Sequence, residues 1–248
     1  MHEKPARIAR FYTDAALRAG AATQLPEEAA HHAVHVLRLR AGEALTLFNG
    51  HGGEYAGRVA AIERVRVTVD VLAHRAIERE SPLAITLVQG VSASEKMDFT
   101  VQKATELGVA ALQPVLATRS TGRVGGERAA HKRAHWQRVA IAACEQCGRN
   151  RVPEILAPVP LEAYCRKTAA AGALLLSPEA QLGLREAAAT LQGAATLAAG
   201  PEAGFTAAEE AMLAQAGFVP VRLGPRVLRT ETAALAALAA LNALAGDY

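Results

Sequence analysis

The chain has 248 residues, 51% apolar, 4% aromatic and 21% charged, with a formal net charge of +3. That length suits two domains, and the apolar share supplies a sizeable core built mainly from Ala, Leu and Val. Three cysteines exclude a disulfide framework of the even-numbered kind. No apolar stretch is long enough to span a bilayer, and Met1-His2-Glu3-Lys4-Pro5 lacks the apolar core of a secretory signal, so a reduced cytoplasm is the expected location. A charge this small is weak support for a nucleic-acid partner, and any basic face needs local clustering of arginine.

In chain order, the first portion reads as a small β-rich domain. Strands are expected over residues 7–11, 44–49, 53–62 and 65–73, the last alternating as Val65, Val67, Val69 and Val71. The run Asn49-Gly50-His51-Gly52-Gly53 is a hairpin signal. One helix, 27–37, interrupts the strands, with Pro26 at a permitted early position. The charged stretch 75–82 reads as a linker. From Leu83 the pattern becomes strand then helix: strands over 83–91, 111–117, 173–176, 194–199 and 219–223, and helices over 96–107, 128–147, 207–215 and 230–244. Alternation of this kind implies a parallel sheet covered on both faces. The expected division is therefore 1–74, a linker over 75–82, and 83–248.

Two loops near the end carry the strongest signal. One is Gly200-Pro201-Glu202-Ala203-Gly204-Phe205; the other runs Leu223-Gly224-Pro225-Arg226-Val227-Leu228-Arg229-Thr230-Glu231-Thr232-Ala233. Each follows a strand-type run and leads into a helix-forming stretch, and ligands in open α/β sheets sit outside the carboxyl ends of strands. Glycine there lets backbone approach a bound molecule. No Rossmann fingerprint or P-loop is present, since Gly50, Gly52, Gly53 and Gly57 lie in a hairpin context. Cys144 and Cys147 form a C-x-x-C without a second pair, which reads as core packing. His31, His32 and His35 lack the Glu of H-E-x-x-H, so no metal site is expected.

Together with Glu95-Lys96-Met97-Asp98-Phe99, Gln102-Lys103-Ala104-Thr105-Glu106-Leu107-Gly108 and Glu145-Gln146-Cys147-Gly148-Arg149, these loops resemble the RsmE family, the 16S ribosomal RNA uridine N3-methyltransferases of the SPOUT superfamily. The resemblance implies an α/β fold: a C-terminal SPOUT domain with a deep trefoil knot, preceded by a small PUA-like β-barrel. It implies S-adenosylmethionine held by Leu176, Ser177, Pro178, Gly200, Pro201, Glu202, Gly204, Leu223, Gly224, Val227, Leu228 and Thr230. RNA contacts are expected from Arg7, Arg10, Arg38, Arg40, Lys96, Arg119, Arg149 and Arg226; scattered surface arginines are the alternative. The partners implied are 16S ribosomal RNA or the small subunit and a second copy of the chain, with Leu235, Leu238, Leu241 and Leu244 forming a dimer seam or packing inside the monomer.

Methylating N3 of a uridine requires loss of its proton. A guanidinium can stabilise the charge spreading onto O2 and O4, and a carboxylate can take the proton. Arg229 is the expected charge stabiliser and Glu231 or Glu202 the proton acceptor, although Thr230 or Thr232 could cap the helix and Glu231 could simply suit its positive end. The family pattern in the first loop is Gly-Pro-Glu-Gly-Gly, so Ala203 departs from it; if that backbone needs positive φ, alanine costs on the order of 1 kcal/mol, and if glycine serves only close approach, the added methyl crowds the cofactor, with weakened or unchanged binding expected in either case. Two other readings stay open: a SPOUT enzyme on another RNA target, and a catalytically inactive RNA-binding assembly factor.

Overall fold

A computed structural model describes residues 8–121, 126–167 and 172–248. It divides into two units: one reaching to Glu80 and taking in Cys144–Val152, the other holding Ser81–Ala143 and Pro153–Tyr248. The division differs from the one read along the sequence. Residues 144–152 join the first unit, and the charged stretch 75–82 is packed rather than a free linker.

The first unit holds β1 (Ala9–Tyr12), β2 (Ala22–Gln24), α1 (Glu27–His31) continuing as a π-helical turn over His32–Val36, β3 (Ala44–Phe48), β4 (Glu54–Glu63) and β5 (Arg66–Arg75). The strands form one sheet in the order β1-β3-β4-β5-β2, antiparallel except for β1 beside β3. In β5, Val67, Val69 and Val71 are buried, while Thr68 and Asp70 alternate with them. Val65 falls out of that alternation because it lies in the tight turn before β5 and is exposed. With Phe11, Leu45, Leu47 and Val59 these valines make the core of the unit.

A charged network closes this unit. Arg10 donates to Glu54 at 2.6 Å, to Asn150 Oδ1 at 2.7 Å and to the Gly148 carbonyl at 3.2 Å. Arg79 donates to Glu54 at 3.3 Å and to the Gly148 carbonyl at 2.8 Å. Arg149 forms a two-pronged pair with Glu80, and Arg151 pairs with Glu78 at 3.1 Å. Burial alone would raise the Glu54 carboxyl, but Arg10 and Arg79 outweigh it and hold Glu54 below its ordinary value of 4.5.

The second unit holds β6 (Ala84–Gly90), α2 (Ser94–Glu106), β7 (Ala111–Leu116), α3 (Glu127–Cys147, its last turn in the first unit), β8 (Glu154–Ile155), β9 (Val159–Pro160), α4 (Leu161–Lys167), β10 (Ala173–Leu176), α5 (Leu184–Ala188), β11 (Ala194–Ala199), α6 (Ala207–Gln215), β12 (Val219–Val221) and α7 (Thr230–Ala245). The sheet is parallel, ordered β12-β10-β11-β6-β7-β8, with β9 also on β7. Buried neighbours Leu87, Val88 and Gln89 show that β6 is covered on both faces, as parallel strands are. Val88, Val115, Leu175, Ala198, Phe205, Leu213 and Phe218 form part of the core. Short β8, β9, α4 and α5 have too few residues to produce a readable period.

Helix α7 buries Ala234, Ala237, Leu238, Leu241 and Asn242, the stripe a 3.6-residue period requires, against α2, α5, β6 and β11. Leu238 and Leu241 are therefore spent inside the unit; Leu235 is half-buried and Leu244 exposed. No described helix is long and apolar enough to cross a membrane.

Glu54 contributes stability that is full above its ordinary value and lost as pH falls through the lower folded value. Denaturant titrations across that acid range should show wild type losing stability more steeply than Glu54→Gln. Arg149→Met should cost about 3 kcal/mol at neutral pH, because it strands the Glu80 carboxylate.

Candidate active site

Parallel register sets the site. Leu175 is level with Ala198, and Leu176 with Val221, so the carboxyl ends of β10, β11 and β12 lie at one edge. Three loops leave that edge and enclose a cavity of about 330 Å³. All twelve residues expected to hold the cofactor line it: Leu176, Ser177, Pro178, Gly200, Pro201, Glu202, Gly204, Leu223, Gly224, Val227, Leu228 and Thr230. Ala199, Val221 and Ala233, not assigned from the sequence, also line it, as does Ala203 of the first loop, and Arg226, assigned to RNA, lies on the same wall. Ala199 and Val221 end the strands before the two loops and Ala233 closes the second loop, and that adjacency was the available signal.

Each side of the first loop is fastened. The Gly200 carbonyl accepts from Gln89 Nε2 at 3.1 Å and from the Thr230 hydroxyl, which itself accepts from Gln89 at 3.1 Å. Glu202 accepts from the Ala93 N–H at 2.9 Å and pairs with Lys96 at 3.6 Å. Arg119 donates to the Ala203 carbonyl at 2.8 Å. Beyond the loop, Thr206 and Glu209 form a capping box that starts α6, and Glu209 also accepts from Thr118 at 2.7 Å. Gln89 went unnoticed in the sequence because it reads as the polar end of an apolar strand.

Glycine is required here by close approach. A Cβ on Gly200 would lie 2.8 Å from the Phe205 nitrogen, and one on Gly90 would lie 2.5 Å from Pro201 N and Cδ. The left-handed residue of the loop is Gly204, at φ +69°, whereas Ala203 is not among the described residues of positive φ. The departure at Ala203 thus carries no backbone strain.

The proposed chemical groups differ in availability. Glu202 is a poor proton acceptor. Burial would raise its carboxyl, but the N–H groups of Ala93 and Glu202, the Ser92 hydroxyl and Lys96 together hold it below its ordinary value. Glu231, in the first turn of α7, has a buried Oε2 with no hydrogen-bond partner. Arg229 is the exposed N-cap residue of α7, and neither it nor Glu231 is on the cavity wall, Thr230 between them being the residue that lines it. Lys96 and Arg119 both hold the rim of the cavity.

Among residues expected to touch RNA, Arg38 and Arg40 are exposed, and Arg7 lies outside the described residues. Arg10 and Arg149 do not present open cations: their side chains are 11% and 5% exposed and are occupied by Glu54 and Glu80. Of the Glu145 to Arg149 motif, Arg149 and Gly148 are buried in the first unit and Gln146 is exposed. Glu145 accepts from the Tyr12 N–H at 2.9 Å, and burial keeps its carboxyl above its usual value. Burial also pushes the Cys144 thiol up to about 12, which leaves it inert. Among the described residues, no group of three or more His, Cys, Asp or Glu side chains is placed to hold a metal ion.

Comparison with known proteins follows this geometry. The family model described as an RNA methyltransferase domain matches residues 79–242, and one described as an RNA methyltransferase PUA domain matches residues 25–72. The chain is similar to a methyltransferase from Legionella pneumophila solved with the bound cofactor SAM, with a TM-score of 0.93, 38% identity and coverage of 98% of this chain and 100% of that one. It is similar to the ribosomal RNA small subunit methyltransferase E of Neisseria gonorrhoeae bound to S-adenosyl methionine, with a TM-score of 0.90, 40% identity and coverage of 97% and 99%. It is 35% identical over 243 residues to the Mycobacterium bovis protein named ribosomal RNA small subunit methyltransferase E, covering 96% of this chain and 92% of that protein.

Gly90→Ala should drive a methyl group into the Pro201 backbone. Overpacking of this kind costs about 1–3 kcal/mol, so the melting temperature in a thermal scan should fall by several degrees.

Proposed function

This chain belongs to the ribosomal RNA small subunit methyltransferase E family, and from that premise we propose that it transfers a methyl group from S-adenosylmethionine to N3 of a uridine in 16S ribosomal RNA. The observation that carries the reading is the single cavity shared by the loops after β10, β11 and β12. Its wall is largely apolar and small, with Leu176, Ala199, Leu223, Val227, Leu228 and Ala233 beside the Gly200 backbone, which suits a nucleoside group and its neighbouring methyl. The closeness of Gly200 to Phe205 and of Gly90 to Pro201 leaves backbone, rather than side chain, facing the ligand.

The cofactor, when bound, supplies an electrophilic methyl group and needs no metal. The residues of this chain must present the uridine and remove its proton. We assign proton removal to Glu231, whose unpartnered buried oxygen is a free acceptor next to the start of α7. Arg229, and Arg226 on the cavity wall, supply positive charge for the electron density developing on O2 and O4 of the base. As the N3–carbon bond forms, the sulfur–methyl bond breaks, and the proton remains on the carboxylate. Thr230 fixes the first turn of α7 to Gly200, and this helps hold donor and acceptor in line.

The first unit is assigned to docking the RNA, with Arg38 and Arg40 as exposed cations and a cytoplasmic setting. The trefoil threading implied by the resemblance is supported by β12 pairing with β10 while α7 returns to β6 and β11. Pairing of two copies is supported by Phe99, Val227 and Leu244, large apolar side chains left exposed on the second unit. Decay of the cofactor loop, as in an inactive assembly factor, is disfavoured by the fastened Gly200 carbonyl and by the unstrained Ala203.

The test is transfer of label from S-adenosylmethionine to small subunits lacking the modification, with the product mapped by mass. Wild type should yield N3-methyluridine in 16S RNA. Glu231→Gln should lower kcat by roughly 10²-fold or more, and Arg229→Ala should lower it comparably with cofactor affinity retained. A Glu231→Gln enzyme with wild-type kcat would overturn the acceptor assignment while leaving the activity intact.

A further inference from the structure

Only two non-glycine residues among those described have positive φ, and both are arginines: Arg38 at +54° and Arg64 at +58°. Each occupies a place where glycine is the usual residue. Arg64 is the first of the two residues, Arg64 and Val65, that turn β4 into β5. Arg38 directly follows Leu37, the C-cap of the π-helical turn, at the left-handed position that ends a helix. Asn or Asp tolerate this backbone through local hydrogen bonds of a short polar side chain, which arginine does not have.

Nothing inside the unit accounts for either residue. Both side chains are exposed, and neither makes an ion pair or hydrogen bond among the described residues. Arg10, Arg79, Arg149 and Arg151 of the same unit are paired, whereas Arg18, Arg40, Arg58, Arg66 and Arg75 are exposed like Arg38 and Arg64, and the positive φ is what sets these two apart. Strain kept without an internal partner points outward, to something the side chain meets. A free guanidinium offers a planar fork of donors suited to phosphate. Beside Arg38, Val36 and Leu37 are also exposed, at 64% and 42%, which gives the same turn apolar surface for ribose or base.

Resting on the reading of the chain as a ribosomal RNA methyltransferase, we propose that the β4–β5 hairpin tip with Arg64, and the π-turn exit with Arg38, are contacts for the sugar–phosphate backbone of the RNA. The groove between α1 and the hairpin carries both signs of charge, with Glu27, Glu28 and Glu63 beside His31, Arg64 and Arg66. Arg64 is exposed at the hairpin tip, on the rim of this groove, and the contact is assigned to that tip. Both arginines position the RNA and carry no sequence information.

The experiment uses the full chain with Arg38→Gly, Arg64→Gly and Arg64→Ala. It reads melting temperature, affinity for 16S ribosomal RNA as a function of salt, and S-adenosylmethionine affinity as a control. Each glycine variant should melt about 2–4 °C above wild type as the strain is relieved. Each should also bind RNA several-fold more weakly, with a log–log salt slope smaller by about 0.7. Arg64→Ala should lose the same RNA affinity without the thermal gain. A lower melting temperature in the glycine variants would make the arginines structural and overturn the proposal, as would unchanged affinity and slope. A wild-type chain that neither binds ribosomal RNA nor transfers methyl overturns the underlying reading as well. A wild type that does both while Arg64→Gly matches it overturns this proposal alone.

Discussion

One oxygen atom organises the site. The Gly200 carbonyl accepts from Gln89 at the end of β6 and from Thr230 in the first turn of α7, so a strand end, a loop and a helix start meet at one acceptor. The arrangement is possible only because Gly90 and Gly200 lack side chains where three stretches of backbone converge. From this point the rest follows mechanically. Thr230 sets where α7 begins, and this in turn sets Arg229 and Glu231. The 200–204 loop is then held on its far side by Ala93, Lys96 and Arg119. The cavity is thus bounded by residues whose positions are fixed from several elements, the condition under which positioning contributes to rate.

The arginines of the first unit divide by physical role. Arg10 and Arg149 are drawn inward by Glu54 and Glu80, while Arg79, 43% exposed, reaches Glu54 from the surface. Buried guanidinium groups need such partners, since an unpaired charge out of water is expensive. Arg38 and Arg64 have no partner, and their backbones are held at an angle that other residues avoid. A count of arginine along the chain does not separate these classes. The separation depends on which strand brings a glutamate alongside.

Much of the second unit was legible in the sequence because its signals are local. The loops at 200–205 and 223–233 carry glycine and proline between apolar strands and helices, and their residues all reach one cavity. Strands 173–176 and 194–199 and helix 207–215 appear with their expected bounds. What was not legible depends on long-range contact. The pairing of Glu80 with Arg149 spans 69 positions, so an arginine expected at the RNA is instead buried against a carboxylate. The leucine series on α7 follows a spacing of three, whereas burial follows 3.6, which splits it between core and surface. That Gly204 and not Ala203 takes the positive φ of the loop is likewise not written in the local residue pattern.

The composition of the first unit also bears on how the protein is made. Its two pieces, the chain up to Glu80 and Cys144–Val152, are separated by most of a helix-rich excursion through the second unit. During synthesis the N-terminal sheet emerges first with Glu54 already beside Arg10 and Arg79, yet their Gly148 and Asn150 acceptors, and the Arg149 partner of Glu80, exist only once the later piece is made. Translation must therefore run well past the middle of the message before the first unit can lock. A gene fragment cut after codon 80 encodes a strand set lacking its closing segment, so the unit is not a portable module for fusion to another enzyme.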